Sequence, residues 1–288
     1  MPERHIAEAG PTDVRLEELV RRVAASAKHG QVAEALIRRV GARELAVRPT
    51  LKEAVKATQR KLHQVGTAYS PGRVRYADWL ARLRAARDEG DDAFRAACLQ
   101  MMRLHASTRE RLPILARFFQ EILADLAPVR SVIDVACGLG PLAIPWMPLG
   151  PGATYHACDV YADLAGFLQG YLPLAGVRGL ADARDVISNP PGEEAQVALV
   201  LKFLPCAEQL EGGASLAVLD ALRCTHLLVS FPAASLGGRH KGMAEQYEAT
   251  FREMIAERPW QVQPHAYAEE LAFLVTKGTE YPAGSRAA

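Results

Sequence analysis

Apolar residues recur through the first 126 positions at three- and four-residue steps, the period of helices that bury one face. The pattern predicts helices over 16–27, 32–40, 51–65, 74–87 and 93–105, with a further one over 109–126. Thr50 stands just before the third and can cap it through its hydroxyl. The breaks, such as Lys28-His29-Gly30 and Tyr69-Ser70-Pro71-Gly72, are short, as antiparallel neighbours in a bundle require. Beyond position 130 the pattern changes. Short apolar runs rich in β-branched residues predict strands over 132–136, 153–158, 177–180, 198–203 and 225–231, then 261–265 and 271–276. Alternation of such runs with helical stretches predicts an α/β architecture on a mostly parallel sheet.

The stretch Ser131 to Leu142, SVIDVACGLGPL, joins a buried strand to a turn of small residues. Gly138 and Gly140 let the backbone approach a bound molecule, and Asp159 follows about 20 residues later, at the end of the next strand. That spacing matches an acid that holds ribose hydroxyls in nucleoside-binding folds. Pro141, Pro145 and Pro148 interrupt any long helix after the turn, which disfavours a diphosphate cradle and favours a nucleoside without phosphates, S-adenosylmethionine. Asp185, after the third strand, is a candidate acceptor for an adenine amino group. A solvated loop acid is the other reading. Asn189-Pro190-Pro191-Gly192 lacks the aromatic residue and the position of an amino-methyltransferase motif, so it reads as a loop. Cys206 after the fourth strand has no evident partner acid and reads as a small thiol before a nucleophile.

Charge divides the chain. Residues 1–130 carry 24 Lys and Arg against 16 Asp and Glu, and residues 131–288 carry 10 against 17; the sharpest window, 38–87, holds 13 against 3. Arg48, Lys52, Lys56 and Arg60 fall at four-residue steps on one helix face, and with Arg73, Arg75, Arg82, Arg84 and Arg87 they point to a polyanionic partner. The polar start and the lack of a long apolar run predict neither secretion nor a membrane span. Five scattered cysteines without a CxxC pair predict a reduced, cytoplasmic protein with no structural metal.

HASTRERLP from His105, DVACGLGPLAIPWM from Asp134, LVLKFLPCAEQ from Leu199 and SFPAASLGGRHKGM from Ser230 together carry a resemblance. The chain resembles the aminoglycoside-resistance 16S ribosomal RNA methyltransferases, in particular the branch that modifies N7 of guanine 1405. The resemblance implies a Rossmann-like, class I S-adenosylmethionine-dependent methyltransferase domain over 108–288. It also implies a helical extension over 1–107 that docks on the 30S ribosomal subunit. By motif, His105, Ser107 and Arg111 would contact the cofactor, Arg111 through its carboxylate. Ala136 and Gly138 would line the turn, Asp159 the ribose, Asp185 and Val186 the adenine, and Leu201 and Gln209 the methionine end. Lys202, Arg239 and Lys241 would face RNA, alongside Arg48, Lys52, Lys56 and Arg60. Many relatives carry Asn where this chain has Gly140. Guanine N7 has a lone pair and no proton, so no general base is required. Two other readings remain open: methylation of another decoding-region nucleotide such as adenine 1408 at N1, and a ribosome-binding factor without catalysis.

Overall fold

The computed structural model describes residues 11–64, 74–232 and 243–278. Helices α1 (Pro11–Ala24), α2 (Glu34–Val47) and α3 (Leu51–Leu62) pack on one another around Leu19, Val23, Ile37, Val40 and Ala54. Thr50 caps α3: its hydroxyl accepts the Glu53 amide at 3.3 Å and donates to the Glu53 carboxylate at 2.9 Å. Glu44, buried between α2 and α3, takes Arg48 at 3.0 Å and Lys61 at 3.2 Å.

The expectation of one helical bundle is corrected here. Helices α4 (Tyr76–Glu89) and α5 (Asp91–Met102) do not join the α1–α3 core. Their apolar faces, Trp79, Leu83, Phe94 and Met101, share a core with Phe118, Val132 and α8 (Ala162–Tyr171), Phe94 stacking on Tyr171. Residues 74–102 are thus packed into the sheet-bearing part, whereas α1–α3 form a core of their own. The expected helix over 109–126 is also interrupted. Pro113 has no amide hydrogen to donate, and a 3-10 turn at Leu112–Ile114 separates α6 (Ala106–Arg111) from α7 (Leu115–Ile122).

Seven strands form one sheet in the order β3-β2-β1-β4-β5-β7-β6. They are β1 (Val129–Val135), β2 (Leu149–Asp159), β3 (Arg178–Ala183), β4 (Glu194–Leu201), β5 (Arg223–Pro232), β6 (Gln261–Ala266) and β7 (Glu270–Thr276). Strands β1 to β5 are parallel, and β7 inserts antiparallel between β5 and β6. Alternate β1 residues serve opposite faces. Val132 enters the core shared with α4, α5 and α8, and Ile133 enters a second core with Leu219 of α10 (Ala214–Ala221) and Phe251 of α11 (Met243–Met254). Burial on both faces accounts for the apolar runs in these strands. Because β1 is central and strand order reverses beside it, the crevice at the carboxyl tips of β1, β2 and β4 is where such a sheet takes a ligand. The 3-10 run Gly140–Trp146 follows that crevice in place of a long helix, as Pro141 and Pro145 dictate. Among the described residues no helix is long and apolar enough to cross a membrane.

Candidate cofactor site

A cavity of about 820 Å³ opens at these strand tips. Two residues with a Cβ adopt left-handed backbone there, Ala136 after β1 (φ 50°) and Lys202 after β4 (φ 59°), and Gly138 joins them at φ 52°. Such conformations are costly and concentrate at sites whose geometry serves a ligand. Gly138 is further constrained by its neighbour, since a Cβ would stand 3.1 Å from the His105 ring. At Gly140 a Cβ would stand 3.1 Å from Asp134 Oδ2.

Asp159 ends β2 with its carboxylate buried. Oδ2 accepts the Gly138 amide at 2.9 Å, and Oδ1 accepts the amides of Val160 at 2.7 Å and Tyr161 at 3.3 Å. A carboxylate offers about four lone-pair directions. Three are filled, so Oδ2 can take one more donor. Burial holds the Asp159 pKa above its usual range against those three amides. Asp134, on β1, accepts the Tyr155 hydroxyl at 2.6 Å, and burial pushes its pKa up to about 7.

An ion cluster also borders the cavity. Arg111 is fully buried and paired with the fully buried Glu270, through Nε at 3.0 Å and Nη2 at 2.5 Å, its guanidinium lying over the Phe118 ring. Lys202 Nζ reaches Glu110 at 2.7 Å, Glu270 at 3.4 Å and the Ser107 carbonyl at 3.3 Å. Burial raises and the two cations lower the Glu270 pKa, and the net shift is downward. His105 is pushed down to about 4 by burial and then by the charges of Lys202 and Arg111, so its ring is neutral near pH 7.

The cavity wall therefore offers a hydroxyl-accepting acid, an ion-paired arginine and lysine, and the apolar side chains of Val186, Ile187 and Leu36. These match the ribose, the carboxylate and the base of an amino-acid-bearing nucleoside. The FmrO family, ribosomal RNA methyltransferases, matches residues 25–274. The chain belongs to this family. A 16S rRNA (guanine(1405)-N(7))-methyltransferase of Micromonospora echinospora is 38% identical to it over 272 residues, covering 93% of this chain and 99% of that protein. One of the same name from Frankia casuarinae is 40% identical over 275 residues, covering 94% and 97%. Among solved structures, the 16S rRNA methyltransferase RmtF in complex with S-adenosyl-L-homocysteine superimposes with a TM-score of 0.73 at 29% identity, over 92% of this chain and 99% of that one.

This FmrO-family chain places His105, Ser107, Arg111, Ala136, Gly138, Asp159, Asp185, Val186 and Leu201 on the cavity wall. Four readings change. Gln209 is exposed and off the wall: on α9 (Leu204–Leu210) the inward positions are Cys206 and Leu210, one turn apart, which turns Gln209 outward. Lys202 does not face RNA as a free cation; its side chain is 3% exposed and tied to two carboxylates. Arg111 lines the cavity already paired with Glu270, so any carboxylate it meets is a second anion. Asp185 accepts four donors, Arg39 Nε at 2.6 Å, Arg39 Nη2 at 3.0 Å, the Ser188 hydroxyl at 2.9 Å and the Ile187 amide at 3.3 Å. Its acceptor directions are full, so it cannot also read an adenine amino group.

Lys52, Lys56 and Arg60 are exposed on α3, and Arg48 is exposed beside Glu44. Arg239 and Lys241 lie outside the described residues, as does Arg73. Glu270, Glu110 and Arg39 were not foreseen from the sequence, since each gains its meaning only from partners brought together by the fold. Among the described residues no group of His, Cys, Asp or Glu could hold a metal ion.

Proposed function

We propose that this FmrO-family protein binds S-adenosylmethionine in the 820 Å³ cavity and transfers its methyl group to N7 of guanine 1405 of 16S rRNA within the 30S subunit. The added methyl and its positive charge would then confer aminoglycoside resistance. The observation that carries the reading is the cradle at Asp159 and Gly138, where one acceptor direction is left for a ribose hydroxyl in a cavity that the ion-paired Arg111 and Lys202 also line. Arg111 and Lys202 suit a methionine carboxylate as a further anion beside Glu270 and Glu110, and Val186, Ile187 and Leu36 suit an adenine ring. When bound, the cofactor supplies an electrophilic methyl on a sulfonium.

Guanine N7 presents an in-plane lone pair and bears no proton, so this chain need not remove one. Its work is to hold two reactants in line, once the base has left its stack. A neutral His105 adds no charge to the wall near Gly138. Exposed Lys52, Lys56 and Arg60 suit phosphate contacts that orient the RNA without reading its sequence.

The decisive experiment incubates the purified chain with 30S subunits and methyl-labelled cofactor, then maps the modified nucleotide by primer extension and mass spectrometry. Methylation at N7 of guanine 1405 supports the reading. Methylation at N1 of adenine 1408, or cofactor binding without turnover, replaces it.

Two further outcomes follow from the same geometry. Changing Lys52 and Lys56 together to Glu is expected to weaken 30S binding and flatten its salt dependence. The slope of log affinity against log salt should fall by about 2, with cofactor affinity unchanged. An unaltered slope in a filter-binding titration would remove α3 from the RNA surface. The second outcome concerns pH. Asp134 has its pKa lifted from 3.8 to about 7, so a cationic ligand that favours its ionised form binds more tightly as pH rises toward 7 and levels off above. In the free protein the same lift makes stability fall as pH climbs between those values, because the unfolded chain ionises first. Calorimetry from pH 5.5 to 8 should show the rise, and Asp134→Asn should flatten it.

A further inference from the structure

The extension α1–α3 does more than stand beside the cavity. Its segment before α2 pairs with the loop that follows Asp159. The Ala33 amide donates to the Val160 carbonyl at 2.7 Å, the Ala162 amide donates to the Gln31 carbonyl at 2.7 Å, and Val32 and Tyr161 form an antiparallel bridge. Val32 and Leu36 then line the same cavity as Val160, Val186 and Ile187. One turn into α2, Arg39 reaches the loop after β3. Its guanidinium takes both oxygens of Asp185 and one oxygen of Glu211 at 2.9 Å, with its side chain 14% exposed and that of Asp185 3%. Arg43 reaches Glu211 as well, at 2.5 Å, and Leu210 of α9 enters the core of α1–α3.

The extension is therefore fastened to both loops that border an adenosine, the one that follows the ribose acid at the end of β2 and the one after β3 that carries Val186. A ligand touching both units binds their docked arrangement alone, so docking and occupancy must favour each other. Asp185 is the hinge of this arrangement. Its four acceptor directions are spent on Arg39 and on its own loop, which holds the loop in shape and leaves nothing for the ligand.

We propose that Arg39 is a positioning residue of the cofactor site: through Asp185 and Glu211 it fastens the helical extension over the two adenosine-bordering loops, coupling attachment of the extension to cofactor affinity. The inference rests on the cofactor reading given above. It also sets apart two kinds of arginine on one helix. Arg38 pairs with Glu17 and Glu34, both within the extension, and touches neither loop.

That contrast supplies the test. Arg39→Met, Arg39→Lys and Arg38→Met are compared with the unaltered chain by calorimetric titration with S-adenosylhomocysteine and by hydrogen exchange at the Ala33 and Ala162 amides. Arg39→Met is expected to weaken binding about tenfold or more and to speed exchange at both amides. Arg39→Lys, with one ammonium in place of a fork that spans two carboxylates, should lose an intermediate factor; it decides the matter if Arg39→Met does not fold. Arg38→Met should change affinity less than twofold. Equal loss in Arg38→Met and Arg39→Met, or unchanged affinity and exchange in the Arg39 variants, overturns the proposal. An unaltered chain that takes up no S-adenosylhomocysteine overturns the cofactor reading and this inference with it. Tight binding that Arg39→Met keeps overturns the latch alone.

Discussion

Glu270→Ala is expected to lower stability by about 3–5 kcal/mol, because it leaves a fully buried guanidinium without its counter-ion. Arg111 makes three contacts to Glu270, and Lys202 approaches it at 3.4 Å, so the substitution strips Arg111 of its counter-ion and leaves Lys202 with Glu110 alone. Glu110, the other partner of Lys202, is about a third exposed and belongs to the short helix α6, so it cannot compensate for Arg111. Chemical denaturation should show the midpoint move with the slope unchanged. Glu270→Gln keeps the shape and one acceptor but removes the charge, and should fall between the two. The pH dependence has a definite sign. The Glu270 pKa is lowered from 4.5, so its contribution is present above that value and is lost as pH falls through the native one. A Glu270→Ala chain as stable as the original would mean that the two cations find water or other acceptors, and the cluster would lose its place in the site.

That residue shows where sequence reasoning stops. The β1 strand, the small-residue turn and the acid 21 positions beyond Gly138 are local in the chain, and their pattern is written in burial and backbone freedom. Pro113 and Pro145 likewise act on their own neighbours, and Pro113 breaks the apolar period over 109–126 that by itself predicts one continuous helix. Glu270 meets Arg111 across 159 positions, and Arg39 meets Asp185 across 146. No periodicity encodes either pair. The same limit explains where other readings depart from the structure. Lys202 is given to RNA by motif resemblance, which carries no information on its partners, and here two carboxylates from distant segments make its burial affordable. Helices α4 and α5 read as bundle members because their apolar stripes do not name the surface they cover. Motif resemblance reached further than periodicity, as far as the family, but it marked Gln209, which one turn of α9 directs to solvent.

Asp159→Ala should remove the cofactor while sparing most of the fold. Each hydrogen bond to a charged acceptor is worth about 1.5–3 kcal/mol, so losing one ribose contact alone predicts a loss of about 10- to 100-fold in affinity. The substitution also releases the amides of Gly138, Val160 and Tyr161, which the carboxylate holds at 2.9, 2.7 and 3.3 Å. Gly138 is held in a left-handed conformation against the His105 ring, and without the acid the turn loses the contact that pins it from the other side. The combined effect should exceed the range set by the ribose alone and abolish measurable binding. Asp159→Asn separates the two contributions: its amide oxygen can keep the Gly138 or the Val160 contact but not both. A residual affinity one to two orders weaker is therefore expected, with melting close to that of the original chain. If Asp159→Ala binds S-adenosylhomocysteine as the original does, the nucleoside does not lie along β2 and the cavity must be read the other way round, with its ribose among the cations of Arg111 and Lys202.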